Sequence, residues 1–444
     1  MSINRIARLG GARALASVTI LCLLSSFTLP SFAQTTTATI SGVVTDPNGA
    51  SVAGAMITAT NTGTNASRSV KTDDNGRYLF LALPVGNYDV QAEHQGFSKE
   101  LRRGIVLTVG RDAVVNFELN VGSVTDQIEI AGDATQVNTT TSEISSLVDA
   151  RTIVDLPLNG RNLIQLATLN IGVANIPGAL LEGQIDSGTG SVKMSINGGR
   201  LNFNNFLFDG TSVNEVQNTT PGSVTGAFTG VDAIQEFQLL TDNFSAEYGG
   251  AGSGVINLIS KSGTNEIHGT AFEFLRNDNL DARNFFDAGD KPEFRRNQFG
   301  GSLGGPIQRD KTFIFGAYEG FRQRLALSQR FFVPDERVRA GIRPDGGPVS
   351  PEIMPYIELY PRANAGNIGG GQALFLRSES GKTREDYFSV RVDHTFSKDD
   401  TFFGRYTFDD SDRTDPRLVI QDTFLEARNQ YLTFGETHIF SPTT

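Results

Sequence analysis

Phe388-Ser389-Val390-Arg391-Val392-Asp393-His394-Thr395-Phe396, then Ser397-Lys398-Asp399-Asp400, then Thr401-Phe402-Phe403-Gly404-Arg405-Tyr406-Thr407-Phe408-Asp409, is the stretch that decides the fold. Side chains of an extended strand alternate between its two faces. Phe388, Val390, Val392, His394 and Phe396 therefore share one face, and Ser389, Arg391, Asp393 and Thr395 the other. Beyond the turn, Phe402, Gly404, Tyr406 and Phe408 point one way, and Phe403, Arg405, Thr407 and Asp409 the other. Strands of about ten residues joined by a short turn fit a membrane-spanning hairpin. Soluble sandwich strands average only ~5–6 residues.

The pattern extends on both sides. His268–Arg276, Gln298–Leu303, Thr312–Arg322 and Tyr431–Phe440 read as further strands, with Asn277–Arg296 and Pro334–Lys382 as long polar extracellular loops. Asp409-Asp410-Ser411-Asp412 with Asp415 lacks the Gly and Glu spacing of a calcium loop and reads as a solvated connection. At this spacing Gly263–Thr444 has room for about six to eight spanning strands. Helical spans are not expected, since no stretch after the N-terminal segment reaches ~18 uninterrupted apolar residues.

That N-terminal segment reads as an export signal. Arg5, Arg8 and Arg13 precede the largely apolar Ala14–Leu29, and Ser31-Phe32-Ala33 supplies a small-x-small cleavage site, so 1–33 is expected to be removed. The single cysteine, Cys22, would leave with it, and Leu21 before it does not fit a lipid-anchored cysteine. No disulfide is expected, although the chain is exported. Losing those arginines takes the net charge from −11 to −14, an acidic balance that argues against nucleic acid as a partner.

Residues 38–121 carry short strands at Ala38–Thr45, Met56–Asn61, Ser67–Thr72, Arg77–Leu81, Asn87–Glu93, Ile105–Val109 and Ala113–Leu119. Turn signals such as Asp46-Pro47-Asn48-Gly49 and Asp73-Asp74-Asn75-Gly76 separate them, the pattern of a β-sandwich. Gly42-Val43-Val44-Thr45-Asp46, Val52-Ala53-Gly54-Ala55, Thr72-Asp73, Gly76-Arg77-Tyr78 and Leu83-Pro84-Val85-Gly86-Asn87-Tyr88 resemble the carboxypeptidase regulatory-like domain. The resemblance implies a carbohydrate-binding-like sandwich. Zinc peptidase chemistry would need a His-x-x-Glu pair, and none of His94, His268, His394 and His438 has Glu three residues on. No Gly-x-Ser-x-Gly elbow lies between a strand and a helix either. No enzyme activity, metal or cofactor is expected.

Gly122–Ser145 is polar and reads as a linker, interrupted by the alternating Val124-Thr125-Asp126-Gln127-Ile128-Glu129-Ile130-Ala131. Such a segment can add to another protein's sheet edge, close the sandwich as its last strand, or be plain linker. Within 146–262, Asp149–Asp155 and Asn162–Leu169 read as short helices. Val192–Ile196, Phe206–Phe208, Ile234–Leu240 and Val255–Lys261 read as strands. The glycine run Gly249-Gly250-Ala251-Gly252-Ser253-Gly254 precedes a strand, which excludes a nucleotide cradle; packing of a loop against a barrel wall is expected instead.

Phe208-Asp209-Gly210-Thr211, Ile234-Gln235-Glu236-Phe237-Gln238-Leu239-Leu240, Ala246-Glu247-Tyr248-Gly249 and Gly254-Val255-Ile256-Asn257-Leu258-Ile259-Ser260-Lys261 resemble, in order and spacing, the plug domain of TonB-dependent receptors. The family often has Gly-Pro where this chain has Thr241-Asp242-Asn243. With the sandwich and Leu156–Asn162, the likeness is to the Oar-like branch rather than to siderophore receptors.

The expected architecture is therefore mainly β: signal (1–33), sandwich (38–121), linker (122–145), α+β plug (146–262) and the first strands of an antiparallel transmembrane barrel (263–444). The family's 22 strands imply that closure belongs to a longer chain. The resemblance also implies an outer-membrane location and a substrate, small molecule, glycan or peptide, bound at plug and upper wall. The TonB complex would pull on Asp126, Gln127, Ile128, Glu129, Ile130 and Ala131 as a TonB box. Asn197, Arg200, Asn204, Asn205 and Asp209 are candidates for the plug apex, to bind substrate or to hold the plug's own loops. An oligosaccharide or peptide is favoured over a siderophore, with outer-membrane lipid around the barrel and a surface lipoprotein as a further partner. The rival expectation is a barrel-anchored adhesion or structural protein with a glycan-binding sandwich.

Overall fold

A computed structural model describes residues 36–122, 127–131, 142–156, 158–176, 193–214, 223–224, 230–250, 252–283, 291–416 and 421–441. The expected signal segment and Asp126 lie outside the described residues. None of the described helices is long and apolar enough to cross a membrane.

The N-terminal strands are β1 (Thr37–Thr45), β2 (Met56–Asn61), β3 (Ser67–Lys71), β4 (Arg77–Pro84), β5 (Gly86–Glu93), β6 (Lys99–Leu107), β7 (Asp112–Val114), β8 (Phe117–Glu118) and β9 (Gln127–Ala131). One sheet runs β4-β1-β7 with β8 also on β1, and the other β3-β2-β5-β6-β9. Alternation drives the packing: Ala38, Ile40 and Val44 of β1 and Ile57 and Ala59 of β2 enter one core with Phe80, Val90, Ile105 and Phe117. The turns share one device. Asp46 accepts from the backbone N–H of Asn48 and Ala50, and Asp73 from those of Asn75 and Arg77, while Gly49 and Gly76 take positive φ.

Part of the expected linker is ordered strand. Gln127–Ala131 pairs parallel to Lys99–Arg103 of β6, the last-strand alternative. Its downstream end already belongs to the plug sheet, as β10 (Ile144–Asp149).

The plug adds β11 (Val173–Asn175), β12 (Met194–Ile196), β13 (Asn205–Phe208), β14 (Thr211–Ser212), β15 (Ile234–Asp242) and β16 (Val255–Ser260). Its main sheet runs β10-β15-β16-β13-β14, with β13 and β16 parallel, and β11 pairs with β12. A short α-helix, Ala150–Asp155, starts at the Asp149 cap, and Asn162 caps Leu163–Leu169, which is a 3-10 rather than an α-helix. Ile153, Leu163, Ile164 and Leu166 cover Phe237, Leu239, Ile256 and Leu258 of the sheet. The glycine run packs on the plug itself, not on the wall: a Cβ at Gly254 would sit 2.6 Å from Ile196, and one at Gly252 would touch Phe203.

The third sheet contains β17 (His268–Asn277), β18 (Phe294–Gln308), β19 (Thr312–Pro334), β20 (Asn367–Gly369), β21 (Gln372–Ser397), β22 (Asp400–Asp415) and β23 (Thr423–His438). The order β17-β18-β19-β21-β22-β23 is antiparallel throughout, with β17 and β23 as the edges among the described residues. The faces follow the alternation in the sequence. Phe388, Phe396, Tyr406, Leu432 and Phe434 are exposed on the outer face, and Ser389, Arg405, Thr407 and Asp409 are buried on the inner one.

One expected loop, and the end of another, are strand instead. β19 and β21 pair as far as Pro334↔Gln372, so residues 372–382 belong to β21 and the true connection is 335–371. Asp409–Asp412 with Asp415 lies in β22, where Arg428 pairs with Asp410 at 2.8 Å and Arg384 with Asp412 at 3.8 Å. A strand projecting beyond lipid needs no apolar face, so its polar sequence resembles a loop.

The connections at 309–311 and 398–399 are short and lie at the same end, where the Thr395 N–H donates to the Lys311 carbonyl at 2.9 Å. Short turns mark the periplasmic end of an outer-membrane barrel. The sandwich meets that end: Asn65 donates to Asp310 at 2.9 Å, and the Asn265 N–H to the Gly63 carbonyl at 2.9 Å.

Candidate functional site

The inner face of the barrel strands is closed against the plug by charge. Asp209 and Gly210 both have positive φ, 46° and 77°, between paired strands β13 and β14. This is the mirror-image two-residue turn that Asp-Gly favours, and it points the Asp209 side chain at the wall. On the wall, Arg391 of β21 and Arg405 of β22 stand directly opposite each other. Alone, two like charges in that position repel. Asp209 lies between them, 2.7 Å from Arg405 Nε and 3.5 Å from Arg391 Nη1.

Further hydrogen bonds hold the cluster. Ser260 donates its N–H and hydroxyl to Asp209 at 2.8 and 2.6 Å. Arg405 donates to the Phe208 carbonyl, Thr407 and Thr433, and its guanidinium lies 3.6 Å from the Phe208 ring centroid. Arg391 forks onto Asp393. Burial alone would push the Asp209 carboxyl up, but Arg405, Arg391 and the Ser260 hydrogen bonds outweigh it and hold it below the usual carboxylate range.

A second tie lies further round the wall. Arg161, at positive φ, pairs with Asp232 at 2.5 Å, and Asp232 accepts from Thr270 of β17. The same guanidinium lies 4.0 Å from the centroid of Phe272 and 3.5 Å from Glu319 of β19, which Gln298 of β18 also reaches. Further from the short turns, Ser223 donates to Glu385, and the Val224 N–H to Ser411.

The sequence-predicted site residues divide accordingly. Asn204 donates to the Met194 carbonyl and Asn205 to the Gly249 carbonyl, so these amides hold plug loops together. Asp209 belongs to the wall cluster. Asn197 and Arg200 are exposed, Asn197 donating to the Thr241 carbonyl and Arg200 lying over Phe203. Asn197 and Arg200 alone of these candidates keep exposed side chains; further up the wall, Ser223 and Val224 meet Glu385 and Ser411, and the Gly160 carbonyl accepts from Gln298 in the same register row. Of the TonB-box candidate, Gln127–Ala131 is β9. The arginines of the wall were legible as inward-facing polar positions, but their plug partners were not.

Parts of the chain are similar to known proteins. Residues 259–444 match the family model for an outer membrane beta barrel domain, and residues 39–120 that for a carboxypeptidase regulatory-like domain. Over 306 residues the chain is 27% identical to the TonB-dependent transporter Oar of Myxococcus xanthus. The chain thus carries an outer membrane beta barrel domain and is similar to an Oar-like TonB-dependent transporter. The match takes in 65% of this chain and 27% of that relative's length. Among solved structures, the outer membrane transporter YddB from Escherichia coli aligns with 67% of this chain and 37% of its own, at 15% identity and a TM-score of 0.43. The siderophore receptor PirA from Acinetobacter baumannii aligns with 65% and 44%, at 18% identity and a TM-score of 0.34.

Proposed function

We propose that this receptor carries an oligosaccharide or peptide inward across the outer membrane, with TonB supplying the work through the segment 126–131. The observation that carries the reading is the Asp209–Arg391–Arg405 cluster. It seats the plug against the inner wall through contacts that can be broken and remade without breaking a covalent bond. An open pore has no use for such a plug, whereas a gated receptor requires one. Substrate would meet the receptor on the long-connection side, and the plug would yield on a pull from the short-turn side.

The position of the sandwich favours uptake over adhesion. It meets the turn at Asp310, the end that short turns mark as periplasmic, and a domain there does not reach glycan outside the cell. The reading is tested by deleting the gene and growing the strain on a panel of oligosaccharides and peptides as carbon sources. Loss of growth on one class is expected, restored by the wild-type gene and not by a copy lacking residues 126–131. Growth unchanged on every source, with cells that no longer adhere, would give the role to adhesion instead.

A further inference from the structure

The candidate energy-coupling segment is not free in this structure. Gln127–Ala131 forms the outermost strand of the five-stranded sandwich sheet, in register Lys99↔Gln127 through Arg103↔Ala131. The chain is also tied just upstream. The Ser98 N–H donates to the Asn120 carbonyl, Phe97 pairs with Val121, and the Gly122 N–H donates to the Gly96 carbonyl. The sandwich thus holds the segment beside β6 and carries it as part of a folded domain.

The hold is weak in kind. The pairing is parallel and spans five residue pairs, and parallel ladders are slightly less stable per residue than antiparallel ones. Arg103 pairs with Glu129 across it at 2.9 Å, but both side chains are more than half exposed, and such pairs contribute little. β6 itself is secured on its other side by β5, with Gly86↔Leu107 to Ala92↔Glu100 in register, so removing β9 leaves a sheet that still stands. Strand storage of this kind suits a segment that a competing strand is to take.

We propose that the regulatory-like sandwich is a catch for the TonB-binding segment: 127–131 is stored on the edge of β6 and has to leave it before TonB can grip. The proposal rests on the reading of 126–131 as the TonB box. It gives the sandwich a role that needs no carbohydrate, namely setting how readily the receptor engages TonB. Release exchanges five parallel pairs for pairs with the partner's strand, so the sandwich's hold subtracts from TonB affinity.

The test uses the full-length receptor in detergent micelles and the purified periplasmic domain of TonB from the same organism. Leu101 and Glu129 are register partners on the less buried face, so Leu101→Cys with Glu129→Cys locks β9 to β6 on oxidation. Any other cysteine of the mature full-length receptor is changed to serine in the same background. The oxidised receptor should bind TonB at least about tenfold more weakly than the reduced one, with dithiothreitol restoring affinity. Arg103→Glu, which places like charges across the pair, should act oppositely and tighten binding about threefold. Equal affinity in oxidised and reduced forms would overturn the catch, since TonB would then be adding to the open edge of β9 without displacing it. Deleting 127–131 separates the two ideas. If the deletion leaves TonB binding intact, the TonB-box reading falls and the catch with it. If it abolishes binding while the oxidised receptor still binds fully, only the catch falls.

Discussion

Asp209 shows how much one residue of this protein has to satisfy at once. Its backbone sits at φ 46°, where Asp and Asn are tolerated and most residues are not, and its carboxylate is the counter-charge for Arg405, which is 1% exposed. Asp209→Asn keeps the turn and the shape and removes only the charge. Breaking a buried pair from one side leaves the other charge uncompensated, so the variant should lose roughly 3–5 kcal/mol of stability. The urea-unfolding midpoint of the receptor in micelles reads this directly. Adding Arg405→Met to Asp209→Asn should recover most of the loss, because no buried guanidinium is then stranded. A midpoint unmoved by Asp209→Asn would mean that Ser260, Thr407 and Thr433 suffice for Arg405. The turn was plain from Asp209-Gly210, and Arg391 and Arg405 were plain as inward positions. Their meeting was not, because alternation assigns a side chain to a face without naming what lies opposite.

Elements behave in the same way: their periods are local and their ends are set by neighbours. β1 reads cleanly as an alternating strand, yet Gly42 in its middle is explained only by tertiary contact. A Cβ there would lie 1.9 Å from the Val115 carbonyl oxygen, the same oxygen that accepts from the Tyr78 hydroxyl at 2.5 Å. Backbone cannot yield as a side-chain tip does, so Gly42→Ala should force β1 away from the segment that follows β7 and cost about 3 kcal/mol. Faster proteolysis within the sandwich, with barrel and plug fragments intact, would report it; an unchanged digestion rate would refute the close approach. The long strands make the complementary point. β21 extends from the apolar Phe388–Phe396 stretch back through Ser378-Glu379-Ser380-Gly381-Lys382, where no apolar face exists to announce a strand. Pairing with β19 holds it there, and pairing is invisible to a single-strand pattern. β9 is the same case in miniature, a five-residue alternation whose partner, β6, lies upstream in another domain's sequence.

At the scale of the whole molecule, three β bodies follow in chain order, and a carboxyl is buried where sandwich meets plug. Glu236 of β15 is 4% exposed and accepts from the Val109 N–H at 2.8 Å. Its pKa is pushed up to about 7, chiefly by burial and in part by Asp149, its partner across β10 and β15, against the downward pull of the Val109 hydrogen bond. A raised acid pKa means that the folded receptor holds a proton that the unfolded chain releases at about 4.5. The stabilisation is therefore complete below about pH 4.5 and is lost as pH rises through about 7, a change of at most roughly 3 kcal/mol. Glu236→Gln keeps a carbonyl oxygen for Val109 and removes the ionisation. Its melting temperature should fall less between pH 4.5 and 7.5 than that of the wild type, so the variant should be the more stable of the two at pH 7.5. Parallel melting profiles would show that the junction tolerates a carboxylate there. If the profiles diverge as expected, the same substitution should make the sandwich harder to strip from the plug by limited proteolysis at pH 7.5, because a neutral side chain at position 236 carries no cost of burying charge when the two domains meet.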